Sequence, residues 1–242
     1  MGEYDFSIIT VVFNDPVNLE STILSVINQK SSHFQYIIID GASTDETLEV
    51  IDKYRKSIDL VISEKDNGIY DAMNKGIHHA TGTWINFLNA GDLFVGDFFL
   101  YNLNSKISHQ SADIYYTDFI IAGNLISPNL SCVYLLRNMI CHQALFYNIL
   151  LLKKYQFSLQ YKFCSDFEHL VRIFTKSTIR KISGPTINYL GGGFSADSNI
   201  QKQILAERLE IVSKSDFTFS YKFNFFLINY LQKLKATLCI SR

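Results

Sequence analysis

Apolar side chains along residues 6–88 switch repeatedly between two periods, and few architectures accept that pattern. Phe6 to Phe13 (FSIITVVF) is an unbroken β-branched and aromatic run, as expected of a strand covered on both faces. Asn14-Asp15-Pro16 then offers a cap and a first-turn proline, and Leu19, Ile23, Val26 and Ile27 follow at helical spacing. The alternation recurs as Phe34 to Ile39 (strand), Leu48, Ile51 and Tyr54 (helix), Ile58 to Ile62 (strand), Ile69, Met73 and Ile77 (helix), and Thr83 to Leu88 (strand). Strands separated by helices predict an α/β fold, a mostly parallel sheet with helices on both faces. Functional groups are then expected beyond the carboxyl ends of the strands.

Those ends read Asn14-Asp15, Asp40-Gly41-Ala42-Ser43-Thr44-Asp45, Ser63-Glu64-Lys65-Asp66-Asn67-Gly68 and Asn89-Ala90-Gly91-Asp92. Each is polar and acidic on an otherwise apolar scaffold. The remainder is less regular. Ala112 to Phe119 alternates like a strand, Gly123-Asn124 reads as a turn, Gln143 to Tyr147 as a short strand, Ser165 to Thr175 as a helix, and the chain from about Gln201 as helical. No repeat or low-complexity linker intervenes, so both halves are expected to share one core.

Composition narrows the function. At 48% hydrophobic and 19% charged residues the chain is not disordered, and 22 basic against 23 acidic side chains leave no positive field for nucleic acid. The four cysteines follow no metal-ligand spacing, which fits a reducing compartment. No signal peptide is read at MGEYDFSIIT, and no apolar run approaches the about 18 residues of a spanning helix, so a cytoplasmic location is expected.

A dinucleotide-binding turn needs glycines directly after the first strand, yet Phe13-Asn14-Asp15-Pro16 has none, and no Walker pattern is present. A nucleotide's phosphates would therefore need a cation held by acidic side chains. Mg²⁺ or Mn²⁺ commonly sits between one or two carboxylates and substrate phosphates. Asn89-Ala90-Gly91-Asp92 offers such a carboxylate, although ordinary turn chemistry accounts for the same residues.

The runs SIITVVFN, IIIDGASTDETLEVI and ISEKDNGIYDAMNKGIHHATGTWINFLNAGD together resemble the nucleotide-sugar-binding half of a family 2 glycosyltransferase of the bacterial capsule, colanic-acid and O-antigen kind. Ile140 to Phe146, Ser165 to Glu168 and Leu190 to Ser195 continue the likeness more loosely. The resemblance implies a GT-A fold, a Rossmann-like, mostly parallel sheet followed by a C-terminal helical segment. Residues 1–100 would bind the nucleotide sugar, 101–200 the acceptor, and 201–242 would form the helical tail. The implied activity is inverting, metal-dependent transfer from a nucleotide sugar, most often UDP-linked, to a glycan or lipid-linked saccharide acceptor.

By the same resemblance, Val11 and Phe13 line the base pocket and Asp40 hydrogen-bonds the base. Asp45 belongs to that signature or caps the next helix. Asp71 lies near the ribose or donor sugar, and Asp92 ligates the metal that bridges the phosphates. Asn89 departs from the family's usual Asp; its amide can coordinate or bind ribose but brings no charge. A non-catalytic nucleotide-sugar-binding subunit is the alternative that this departure leaves open.

Displacing a nucleoside diphosphate with a hydroxyl needs one general base, and a retaining route would need a nucleophile as well. Asp166 is that base by resemblance, with Glu168 the runner-up. Ser165-Asp166-Phe167-Glu168 also reads as a capping box, with Ser165 as N-cap and Glu168 reaching back. His142 beside Gln143 is a candidate contact for diphosphate or acceptor, or a histidine satisfied within the core. Trp84 is read as core, His78 and His79 as solvent-facing, and Gly191-Gly192-Gly193 as a lid or a plain turn. The aromatic run Phe217 to Leu231, followed by Lys233, Lys235 and Arg242, fits a peripheral contact with the inner membrane face, packing on the core, or a homodimer interface.

Overall fold

β1 (Phe6–Val12) is buried along its whole length, which is why it carries no polar alternation. α1 (Pro16–Ile27) starts after Asp15, whose side chain accepts the Asn18 N–H, and Pro16 takes the first-turn position where no N–H is needed. β2 (Phe34–Asp40), α2 (Thr47–Lys53), β3 (Leu60–Ser63), α3 (Ile69–His79) and β4 (Trp84–Phe87) follow in the expected order. The four strands are parallel, in the order β3-β2-β1-β4. The computed structural model describes residues 3–108, 111–138, 140–191 and 198–227.

The second half completes the same sheet. β5 (Leu93–Phe94), α4 (Phe99–Ile107), β6 (Ile114–Ile121), β7 (Asn124–Ile126), α5 (Cys132–Arg137), β8 (Leu145–Asn148), α6 (Ile149–Lys154), α7 (Ser165–Ile173), β9 (Ile179–Tyr189) and α8 (Ser198–Lys214) succeed one another. The sheet continues from β4 through β8, β6 and β9 to β5, with β8 antiparallel to β4 and β7 pairing on β6. Period-2 side chains split the core in two. Ile9 and Val11 face α3, α6 and α7, whereas Phe6, Ile8 and Val12 face α1, α2 and α4. Each cluster draws on both halves of the chain, as a shared core requires.

β9 is the long element absent from the sequence reading. Its register against β6 jumps from Thr117↔Ile182 to Asp118↔Thr186, so Ser183, Gly184 and Pro185 bulge out and interrupt the apolar alternation. Trp84 is only partly buried, with its ring tilted on Tyr115 at 4.8 Å, so it covers the core edge and does not sit inside it. His78 and His79 are exposed at the end of α3.

Candidate active site

The turn after β4 is closed by the Asp92 N–H on the Asn89 carbonyl at 2.9 Å. Buried Thr22 of α1 ties it down: its Oγ1 accepts the Gly91 N–H at 2.8 Å and lies 3.0 and 3.2 Å from the carbonyls of Asp92 and Asn89. Gly91, at φ +95°, is where a Cβ would stand 2.6 Å from Leu190 Cδ2, so glycine lets the end of β9 approach. Asp92 is only 3% exposed. Its Oδ2 accepts from Gln143 Nε2 at 2.8 Å and its Oδ1 from the Leu190 N–H at 3.2 Å. Burial pushes its pKa up to about 7, with the bonds from Leu190, Gln143 and Asn89 opposing.

Asn89 Oδ1 is buried without a hydrogen-bond partner, while its Nδ2 lies 3.3 Å from His142 Nε2. A desolvated carboxylate and a spare amide oxygen in one turn are hard donors that fit Mg²⁺ or Mn²⁺. Among the described residues no group of three or more His, Cys, Asp or Glu could hold a metal. A cation here would therefore take its other ligands from phosphate and water. The His142 ring stacks on Phe87 at 5.9 Å, and burial lowers its pKa against the opposing charge of Asp166. Burial thus favours the neutral imidazole, whose Nδ1 is unpartnered.

The ends of β1, β2 and β3 clasp one another. The Asn14 N–H donates to Ser43 Oγ and the Thr44 N–H to Asn14 Oδ1, both at 2.8 Å. Asn14 and Ala42 hold left-handed backbone, at φ +51° and +63°. Val11 is buried, whereas Phe13 is 62% exposed, its ring 3.3 Å from where a Gly41 Cβ would stand. Asp40 is fully buried and accepts the Ser43 N–H and, at 2.6 Å, the Ser63 hydroxyl. Asp45 accepts the Thr47 N–H at the start of α2, and Asp71 accepts both N–H groups of Asn67 at the start of α3. Asp66, not singled out from sequence, comes within 2.8 Å of the Gly41 Cβ position.

Asp166 lies in the first turn of α7, part-buried, and its Oδ1 accepts the Tyr70 hydroxyl at 2.9 Å and the Phe167 N–H at 2.8 Å. The expected capping box does not form. Cys164 is the N-cap, Ser165 Oγ is buried without a partner, and Glu168 pairs with Arg172 at 2.7 Å. A nearby cation one turn along the helix outcompetes the backbone amide for Glu168. Burial first, then the charges of Cys141, Asp92 and Asp166, raise the Tyr189 pKa, so these groups share one field. The sequence reading gives no role to Thr22 or Tyr70, names Leu190 only as the start of the looser likeness, and takes Gln143 as a strand start and the neighbour of His142; a polar residue inside an apolar helical stripe, as Thr22 is, is the available signal.

Of the glycine run, Gly191 takes φ +71°, while Gly192 and Gly193 lie outside the described residues. In the aromatic run, Phe217 and Phe225 are buried, while Phe219 is 82% and Phe223 54% exposed on helical residues 219–227. Ile228 to Arg242 lie outside the described residues. No described helix is long and apolar enough to cross a membrane.

The family described as "Glycosyl transferase family 2" matches residues 7–129. A PGL/p-HBAD biosynthesis glycosyltransferase of Mycobacterium bovis (strain BCG / Pasteur 1173P2) is 31% identical over 183 residues, 72% of this chain and 71% of that protein. The fold is similar to that of S. aureus TarS 1-349 in complex with UDP, with a TM-score of 0.71 and 16% identity over 91% of this chain and 69% of that one. It is also similar to the mannosyltransferase PcManGT of Pyrobaculum calidifontis in complex with GDP-Man and Mn²⁺, with a TM-score of 0.67 and 14% identity over 94% and 70%.

Proposed function

The chain belongs to glycosyl transferase family 2, and from that premise we propose an inverting, cation-assisted transfer from a nucleotide sugar to a hydroxyl of a surface-glycan or lipid-linked saccharide acceptor. One observation carries the reading: a deeply buried carboxylate and an unpartnered amide oxygen share the turn after β4, while a second, part-buried carboxylate opens α7. The first pair suits the diphosphate end of a donor, and the second suits an incoming hydroxyl.

In this reading Phe13 stacks on the base, with Val11 packing behind it. Asp40, expected from the resemblance to hydrogen-bond the base itself, is fully buried and bonded to Ser43 and Ser63, so it holds the strand-end turn against the base edge. Asp45 and Asp71 order the loops around the nucleotide and donor sugar. Asp92 and Asn89 would hold the divalent cation, which supplies Lewis-acid neutralisation of the departing diphosphate. Gln143 and the Leu190 N–H aim the Asp92 carboxylate. The acceptor oxygen attacks the anomeric carbon, the bond from that carbon to the diphosphate oxygen breaks, and the hydroxyl proton passes to Asp166. Read as a general base, Asp166 serves a single displacement, with inversion.

UDP is the favoured nucleotide, because one fold neighbour holds it, although the other holds GDP-Man. The chain is read as a donor half (1–100), an acceptor half (101–200) and a tail (201–242). Exposed Phe219 and Phe223 beside Lys222 support a peripheral membrane role for the tail, with a second copy of the chain as the competing partner. The decisive experiment measures nucleotide release from UDP-glucose, UDP-N-acetylglucosamine and GDP-mannose, with Mn²⁺ and with EDTA, and the anomeric configuration of the product. Cation-dependent release with inversion is expected. Retention of configuration removes the mechanism, and no turnover with any donor and acceptor favours the non-catalytic binding subunit.

A further inference from the structure

Helix α7 begins without a side-chain cap at its N-cap position, since the Cys164 thiol turns to the Ile204 carbonyl and Glu168 is drawn to Arg172. The amides ahead of it are taken from a distance by Glu207 of α8. Its Oε1 accepts the Lys162 N–H at 2.9 Å, and its Oε2 accepts the Phe163 N–H at 3.0 Å and the Cys164 N–H at 2.9 Å. Three consecutive backbone donors thus enclose one carboxylate, the concave anion site that successive amides form.

The peptide joining Phe163 to Cys164 is held at both ends. Its N–H donates to Glu207, and its C=O, directed the opposite way by the planar trans bond, accepts the Tyr70 hydroxyl at 3.1 Å. The same hydroxyl lies 2.9 Å from Asp166 Oδ1, and it has one proton to divide between the two acceptors.

We propose that Glu207 is a positioning residue for Asp166. By fixing that peptide plane it keeps part of the Tyr70 proton on the Phe163 carbonyl, leaving the Asp166 carboxylate oriented and open to take the acceptor proton. Without Glu207 the plane turns, Tyr70 donates wholly to Asp166, and the oxygen that should face the acceptor is tied up by that bond. The inference rests on the reading of Asp166 as the general base, and it makes a helix outside the family-matched residues 7–129 part of the machinery.

The test uses the full chain carrying Glu207→Gln, which keeps the volume but turns an NH₂ toward the amides. Nucleotide release is followed with Mn²⁺ and water as acceptor, using whichever of UDP-glucose, UDP-N-acetylglucosamine and GDP-mannose turns over fastest. kcat is expected to fall about 10- to 100-fold with the donor KM within about twofold, and Glu207→Asp should recover part of the loss. Amide hydrogen exchange at residues 162–164 should accelerate more than about tenfold while that of β1 to β4 stays unchanged, a readout independent of turnover. Unchanged exchange at these amides, or wild-type kcat, overturns the proposal. Asp166→Asn assayed in parallel separates the two ideas. Turnover retained there defeats the base assignment, whereas turnover lost there but intact in Glu207→Gln defeats only the positioning role.

Discussion

Asp92, in the turn after β4, and Asp166, at the start of α7, are held in opposite ways. Asp92 is almost wholly buried, takes bonds from Gln143 and Leu190, and has its pKa pushed up to about 7 by desolvation. Asp166 stays part-buried, and its side-chain partner is the Tyr70 hydroxyl. A carboxylate that must hold a cation can be left strained until the cation arrives, because the incoming charge offsets the desolvation. A carboxylate that must collect a proton from an acceptor needs access and a fixed direction. Under the roles proposed above, depth of burial and hydrogen-bond partners together suit the two acids to different work.

The sharpest way to break this contrast is Asp166→Asn. Turnover should fall by about 10³-fold, within the usual range for a general base, while UDP still raises the melting temperature as in the wild type. Loss of UDP binding along with turnover would mean that the two acids do one job.

Asp92→Asn should also abolish turnover and remove the Mn²⁺ dependence of donor binding, and it should change the pH dependence of stability as well. The folded pKa of about 7 lies above the unfolded value, so between the two the native state keeps a proton that the unfolded chain has shed. Cation-free stability therefore falls as pH rises from about 4 through 7. The asparagine variant escapes that fall and should be more stable than wild type at pH 8 in EDTA, by up to a few kcal/mol. Thermal melts at pH 5 and pH 8 measure it, and parallel curves for the two proteins would refute the assignment.

Gln143→Ala should weaken Mn²⁺-dependent nucleotide binding by about tenfold, because the amide that aims Asp92 Oδ2 is lost. Titration of UDP with and without Mn²⁺ checks this, and an equal loss in both conditions would locate the effect elsewhere. The smallest effect is expected at Ala42. Its φ of +63° costs a non-glycine residue about 1 kcal/mol, so Ala42→Gly should raise the denaturant midpoint slightly while donor KM stays unchanged. A shifted KM would show that this turn's stiffness serves donor binding.

The four parallel strands, their helices and the polar turns at their ends were legible because each is written in short periods that neighbouring residues share. Phe6 to Val12 announces a strand through its own run of β-branched and aromatic residues, and the structure buries it on both faces. The capping box at Ser165 was equally legible as a local pattern, and it failed because Arg172 competes for Glu168 and the helix takes Cys164 as its N-cap, while Glu207 holds the amides of residues 162–164 just ahead of it. β9 was hidden by its own bulge at Ser183 to Pro185, and with it the Leu190 N–H that reaches Asp92.

By itself the amino-acid sequence determined the α/β sheet, the places where polar groups gather and the resemblance that carried the family, since all of these reside in local order. Only the tertiary structure decided which of those groups meet. Gln143 finds Asp92 across 51 positions, Tyr70 finds Asp166 across 96, and Leu190 finds Asp92 across 98. Burial depth, which separates the two acids, is likewise a property of everything packed around them and of no residue alone.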